Sequence, residues 1–231
     1  MGTWRRHFFY SKESIRTTWK LRLGALVVVV LIWAATSGFW TTKIARSLTC
    51  ARDVAPSDVI LIENFEPNYL LFERAAALEK AGLARRAVVP VPIYQSPSGP
   101  PVINPVSRGI VEVMARQARI EAWGMIPIRE VEPISLNAAA QIRAHLAREQ
   151  VKSFIVVTTG FRSRRSVLVY RAVLNGSDVQ VRCDPVFGST TPERWTNTWH
   201  GMEDVAEQFL KLQYYRFYVL PFFARLSGGP A

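Results

Sequence analysis

Hydrophobic and polar positions divide the chain into a uniform apolar block and a longer region of alternating short runs. Residues 23–42, LGALVVVVLIWAATSGFWTT, contain no ionisable side chain. Twenty residues rising 1.5 Å each make a helix of about 30 Å, the thickness of a bilayer's hydrocarbon core. Downstream, short all-apolar runs predict buried strands at 59–62, 87–91 and 154–157, and 127–131 and 179–181 read as further short strands. Between them the apolar positions recur at helical spacing, predicting helices at 69–81, 107–123, 137–148 (with Asn137 as cap), 163–174 and 202–215. Strands of four or five residues alternating with helices of ten or more predict an open, largely parallel sheet flanked by helices. The fold class is therefore α/β, a Rossmann-like three-layer αβα domain preceded by one N-terminal transmembrane helix.

Charge orients this arrangement. The chain of 231 residues has 29 Lys+Arg against 18 Asp+Glu, a formal net charge of +11. Arg5, Arg6, Lys12, Arg16, Lys20 and Arg22 precede the apolar block against Glu13 alone, so much of the surplus sits immediately before it. A nucleic-acid binder would carry its surplus on the folded body among aromatic platforms, so a bilayer, and no nucleic acid, is the expected partner. The positive-inside bias places the N-terminus in the cytoplasm and exports the body, in a bacterium to the periplasm or cell exterior from the inner membrane. A cleaved signal peptide and a buried helix compete with the anchor. The long basic leader and the bulky Phe39–Trp40 pair favour the anchor. The organisation read is 1–22 basic cytoplasmic leader, 23–42 transmembrane helix, 43–55 linker and 56–225 α/β domain.

The proline-rich stretch 92–105 reads as a loop too long for a simple connection. The aromatic 211–226, KLQYYRFYVLPFFARL, either packs on the sheet or lies along the outer face of the same membrane. Export would permit a Cys50–Cys183 disulfide, but two free buried thiols are the simpler reading of a pair so far apart in sequence. Two cysteines and three histidines leave little for a metal site, and no metal or cofactor is expected.

Chemistry concentrates in SFIVVTTGFRSRRSVLVY, residues 153–170. An apolar strand runs into Thr158, Thr159 and a flexible Gly160, and Arg162, Arg164 and Arg165 open the next helix. Hydroxyls, free backbone N–H groups and guanidinium forks at one strand end favour phosphate or carboxylate binding, with Arg162 and Arg165 as the forks. Arginines at a helix N-terminus oppose its dipole, which a bound anion would offset. Arg74 leans over the same cleft or lies on the surface. After the first strand, Glu63 and Glu66 are candidate acid/base groups rimming the cleft, with Asn64, Ser135 and Asn137 as polar rim residues.

RAAALEKAGLARRAVV (74–89), Glu112, EPISLNAAAQIRAHL (132–146), VVTTGFRSRRS (156–166) and the late block TPERW…VAEQFLKLQYY (191–215) resemble the YdcF/SanA/ElyC-like bacterial envelope family. The resemblance implies a Rossmann-like domain engaged in cell-envelope or exopolysaccharide metabolism, with envelope biosynthesis proteins as partners. Arg74, Ser135, Asn137, Thr158 and Arg165 match the family's motifs. Its glycine-rich turns do not survive: Leu61-Ile62-Glu63-Asn64 and VPIYQSPSGPP (91–101) stand in their places. Ala138, Ala140 and Gln141 replace Thr, Glu and Asn, and Arg162 occupies the histidine position. Arginine keeps its charge and only donates hydrogen bonds, where histidine exchanges protons near neutral pH. The expected function is therefore an accessory binder of an anionic glycan or lipid-linked phosphate. An enzyme acting on such substrates, or a scaffold with a vestigial cleft, are the alternatives.

Overall fold

The computed structural model describes residues 18–94 and 100–226; most of the basic leader and Pro97 of the proline-rich stretch lie outside them. Trp19–Ser47 form one helix, α1, with none of its apolar window buried. It is long and apolar enough to cross a membrane, and it overruns the expected block at both ends. The chain divides into two compact units at residues 40 and 41. Within the second unit, the segment expected as a linker is part of the body. Ala45 and Leu48 are buried with Phe161, Val205 and Leu212, and Asp53 pairs with Cys183 as an isolated bridge.

The body is built on β1 (Val59–Ile62), β2 (Ala87–Tyr94), β3 (Val102–Ile103), β4 (Trp123–Ile128), β5 (Ser153–Thr159) and β6 (Gln180–Val186). The parallel pairings run β4-β2-β1-β5-β6, and β3 adds to the end of β2 antiparallel. The three strands predicted most clearly, around 59–62, 87–91 and 154–157, are thus adjacent and parallel. Successive side chains of a strand point to opposite faces, and β1 shows why its run is apolar at every position. Ile60 and Ile62 pack under Leu71, Phe72 and Ala75 of α2 (Tyr69–Lys80) and Val111 and Ala115 of α3 (Pro105–Ala118). Val59 and Leu61 pack under Leu136 and Ile142 of α4 (Ile134–Arg148) and Val169 and Val173 of α5 (Ser163–Val173). The last helix, α6 (Trp199–Tyr214), widens into a π-helical turn over Tyr215–Val219 and continues as α7 (Leu220–Leu226).

Several boundaries differ from the sequence expectation. Helix α3 starts at Pro105 because the Asn104 side chain accepts from the N–H groups of Val106 and Ser107. It ends at Ala118, where Arg119 turns left-handed at φ 59°, rather than reaching 123. Residues from Trp123 onward pair with β2 instead. Asn137 lies inside α4 rather than capping it; its amide donates to the carbonyls of Val131 and Pro133 and holds the preceding turn. Gly160, read as a flexible glycine, is buried where the Phe187 ring approaches so closely that a Cβ would come within 2.0 Å of it. Finally, Cys50 and Cys183 are not free thiols but a disulfide, tying the segment after α1 to β6.

Candidate functional site

The chain leaves β1 and passes by way of α2 to β2 and β4 on one side of it, while β5 and β6 lie on the other. Strand order therefore reverses between β1 and β5, and in open α/β sheets ligands gather beyond the carboxyl ends at such a point. A cavity of about 400 Å³ lies there, lined by the loop after β1, the turn before α4, the β5–α5 junction and α6.

Its floor is cationic. The Arg165 side chain is 5% exposed. One of its amino groups donates to Ser135 Oγ at 3.0 Å and the other to Gln208 Oε1 at 3.0 Å, while its Nε has no acceptor. Arg165 forms no ion pair among the described residues, and its guanidinium lies over the Tyr215 ring at 5.5 Å. Burial, then repulsion from Arg162, pulls its pKa down to about 10. Arg162 lines the same cavity, with its guanidinium over the Phe65 ring at 4.5 Å. Its Nε lies 3.7 Å from Glu63 Oε2 and also lacks a hydrogen-bond acceptor. Two adjacent guanidinium groups facing an open space, one without a carboxylate, suit a ligand that brings negative charge.

The walls carry the opposite sign and aromatic rings. Glu66, Glu130 and Glu132 line the cavity, as do Phe65, Tyr214 and Tyr215. Carboxylates accept from hydroxyls and rings cover apolar faces, the combination that holds a sugar. The Tyr215 hydroxyl accepts from the Ser135 N–H at 3.0 Å, which fixes α6 over the start of α4. Lys211 also lines the cavity but is paired with Glu207.

The expected residues do not all meet. Arg162, Arg165, Ser135 and Glu66 meet in the cavity. Glu63, 5% exposed, does not rim it with Glu66: it sits behind Arg162, where its Oε2 accepts from the Ser166 hydroxyl, with the Tyr170 hydroxyl bonded to the same side chain. Burial, reinforced by that carboxylate, pushes the Tyr170 phenol well up. Arg74 lies elsewhere, its Nε 2.5 Å from Oδ2 of the fully buried Asp184, which Arg52 approaches from the other side at 2.8 Å. Thr158 is fully buried in β5, Thr159 is half-buried at the strand end, and Asn64 lines a separate cavity of about 70 Å³. Among the described residues no group of three His, Cys, Asp or Glu side chains is placed to hold a metal ion.

Gln208, Tyr215 and Phe65 were not singled out from sequence. Gln208 carried a signal: it is a polar residue on the apolar face of α6, and such a position needs a buried partner, here Arg165.

Asp204, on α6, is half-buried, and desolvation and Glu66 push its pKa up. The folded state therefore holds this proton to higher pH than the unfolded chain, whose value is about 4. The sign follows: stability from the protonated form is full below the unfolded pKa and declines as pH rises through the folded one. Asp204→Asn keeps the shape without the charge. Thermal melts are expected to show the variant above wild type at pH 7, with the gap closing as pH falls toward 4. A gap that widens on acidification would contradict this environment.

No protein-family model matches the chain, and no curated protein matches it either.

Proposed function

We propose that the protein is a membrane-anchored accessory protein of the bacterial cell envelope, whose Rossmann-like domain binds an anionic glycan or lipid-linked phosphate in the Arg162–Arg165 cavity. The observation that carries this reading is Arg165: a buried cation held only by two neutral oxygens, beside a second cation and an open volume. A bound phosphate or uronate would supply the charge that the fold withholds. Glu66, Glu130 and Glu132 would accept from the sugar hydroxyls, and Tyr214 and Phe65 would cover its apolar faces.

The disulfide supports an exported body, because such bonds persist in oxidising compartments. The basic leader supports a cytoplasmic N-terminus and a single pass through the inner membrane. The YdcF/SanA/ElyC-like motifs around Arg165 and Ser135 support a place in envelope or exopolysaccharide biogenesis alongside its biosynthetic proteins. A second reading, an enzyme acting on a phosphorylated sugar, polyprenyl phosphate or glycan, draws on the neighbouring Glu66 and Asp204 carboxyls. Burial and the neighbouring Glu66 push the Asp204 pKa up, the direction a group serving as an acid needs.

Calorimetry on the full chain in detergent tests the proposal, using a short polyprenyl phosphate and acidic oligosaccharides. Arg165→Ala is expected to weaken binding about 10- to 100-fold, the loss of one charge-assisted fork. Arg6→Ala, in the leader, leaves it unchanged. Equal affinity in wild type and Arg165→Ala overturns the site and leaves a scaffold. Turnover that disappears in Glu66→Gln favours the enzyme.

A further inference from the structure

We propose that the exposed apolar face running from Leu210 through Tyr214, Phe217 and Tyr218 to Phe222 is a second membrane contact, which lies on the surface of an anionic bilayer beside the Arg162–Arg165 cavity. It rests on the reading of α1 as a membrane span.

The segment is apolar on two sides and buried on one. Leu212, Tyr215 and Val219 pack into the body. Leu210, Phe217 and Tyr218 are 68%, 70% and 65% exposed, with Tyr214 and Phe222 also open to solvent and Tyr214 stacked on Tyr218. A contiguous stripe of this kind marks a surface that meets lipid or protein.

Charge, attachment and the cavity each indicate lipid. Residues 208–226 contain Lys211, Arg216 and Arg225 and no Asp or Glu. Arg216 is exposed, lies over the Phe217 ring at 5.5 Å and forms no ion pair among the described residues. Aromatic rings interspersed with basic residues are the composition of an interfacial segment on an anionic surface.

The buried side of the same helix packs on the last turn of α1, within the second unit. Ala45 and Leu48 are buried with Val205 and Leu212 of α6, and Trp195 Nε1 donates to the Thr41 carbonyl at 3.1 Å. The Arg164 N–H donates to the Leu48 carbonyl at 3.0 Å, so the junction bearing the site arginines is also where the chain leaving α1 is fastened. From Lys43, the first charge after the apolar block, to Leu48 the rise is only about 8 Å. Tyr214 belongs to both the stripe and the cavity wall, which would put the ligand site at the lipid surface.

The test uses the full chain in nanodiscs of phosphatidylcholine with and without phosphatidylglycerol. No described cysteine is free, so one introduced cysteine is the single labelling position. Val29→Cys in α1, Phe217→Cys on the stripe and Glu121→Cys each carry an environment-sensitive fluorophore. Glu121 is exposed just before β4, at the amino-terminal end of that strand, and lines neither the cavity nor the stripe. Quenching by lipids with a nitroxide on the acyl chain is expected at Val29→Cys and Phe217→Cys and not at Glu121→Cys. At Phe217→Cys it should fall several-fold without phosphatidylglycerol. Quenching at Val29→Cys with none at Phe217→Cys overturns the second contact and leaves the span. No quenching at either position removes the span reading as well. Shielding of Phe217→Cys without quenching, with crosslinking between chains, would show that a second copy covers the face and would also overturn the proposal.

Discussion

Replacing Glu63 by glutamine is expected to destabilise the fold by about 3–5 kcal/mol, the cost of leaving a buried cation without its counter-charge. Among the described residues Glu63 is the carboxylate ion-paired to Arg162, whose side chain is mostly buried, and it also receives hydrogen bonds from Ser166 and Tyr170. Glutamine preserves the volume and one acceptor but removes the charge, so Arg162 and Arg165 face each other with nothing ionic behind them. For a domain of this size the melting temperature should fall by about 6–20 °C. The variant has a second signature. An anion in the cavity now replaces the missing charge, so inorganic phosphate should raise the melting temperature of Glu63→Gln more than that of wild type. Thermal melts of both proteins across a phosphate series, at fixed ionic strength, measure this. Unchanged melting of Glu63→Gln would end the counter-ion account, and unchanged melting with lost turnover would return Glu63 to an acid/base role.

The difference between Glu63 and Glu66 shows how far the sequence could be read. Both follow β1, and nothing in their spacing distinguishes a carboxylate that turns inward to a buried serine from one that remains on a wall. The central strands were legible because burial on both faces demands uninterrupted apolar runs. Strand β4 was displaced in the reading because Gly124 and Pro127 look like breakers. At a sheet edge, where β4 pairs only with β2, they are tolerated. The C-terminal half of β6 was hidden by Arg182, Asp184 and Pro185, and with it the Asp184 carboxylate that takes Arg74 away from the cavity. That Arg162 and Arg165 stand at one junction could be read because both lie where β5 passes into the next helix. Their neutral partners could not, since Ser135 and Gln208 come from α4 and α6 and meet Arg165 only once the sheet has brought those helices together.

Removing the Cys50–Cys183 bond is expected to lower stability by about 2–5 kcal/mol, because the bond closes a loop between residues 133 apart. Export permits the pairing, but the sequence does not bring two cysteines so distant together; β6 beside β5 brings Cys183 to the segment leaving α1. The bond is not alone in holding that segment. The Cys50 N–H donates to Ser163 Oγ at 2.9 Å, and the Asp53 N–H donates to the Cys183 carbonyl at 2.8 Å. These contacts need no disulfide, so Cys50→Ser/Cys183→Ser should keep native circular dichroism at room temperature and melt about 4–20 °C lower. Wild type melted in reductant should match it, which separates loss of the crosslink from any defect introduced by serine. Equal melting of the double variant and oxidised wild type would mean that the crosslink adds nothing to the folded state. The same bond would then be a consequence of the compartment rather than a support of the fold. If the expected loss is found, the segment leaving α1 is held covalently to β6 and by hydrogen bonds to the β5–α5 junction that carries the arginine site.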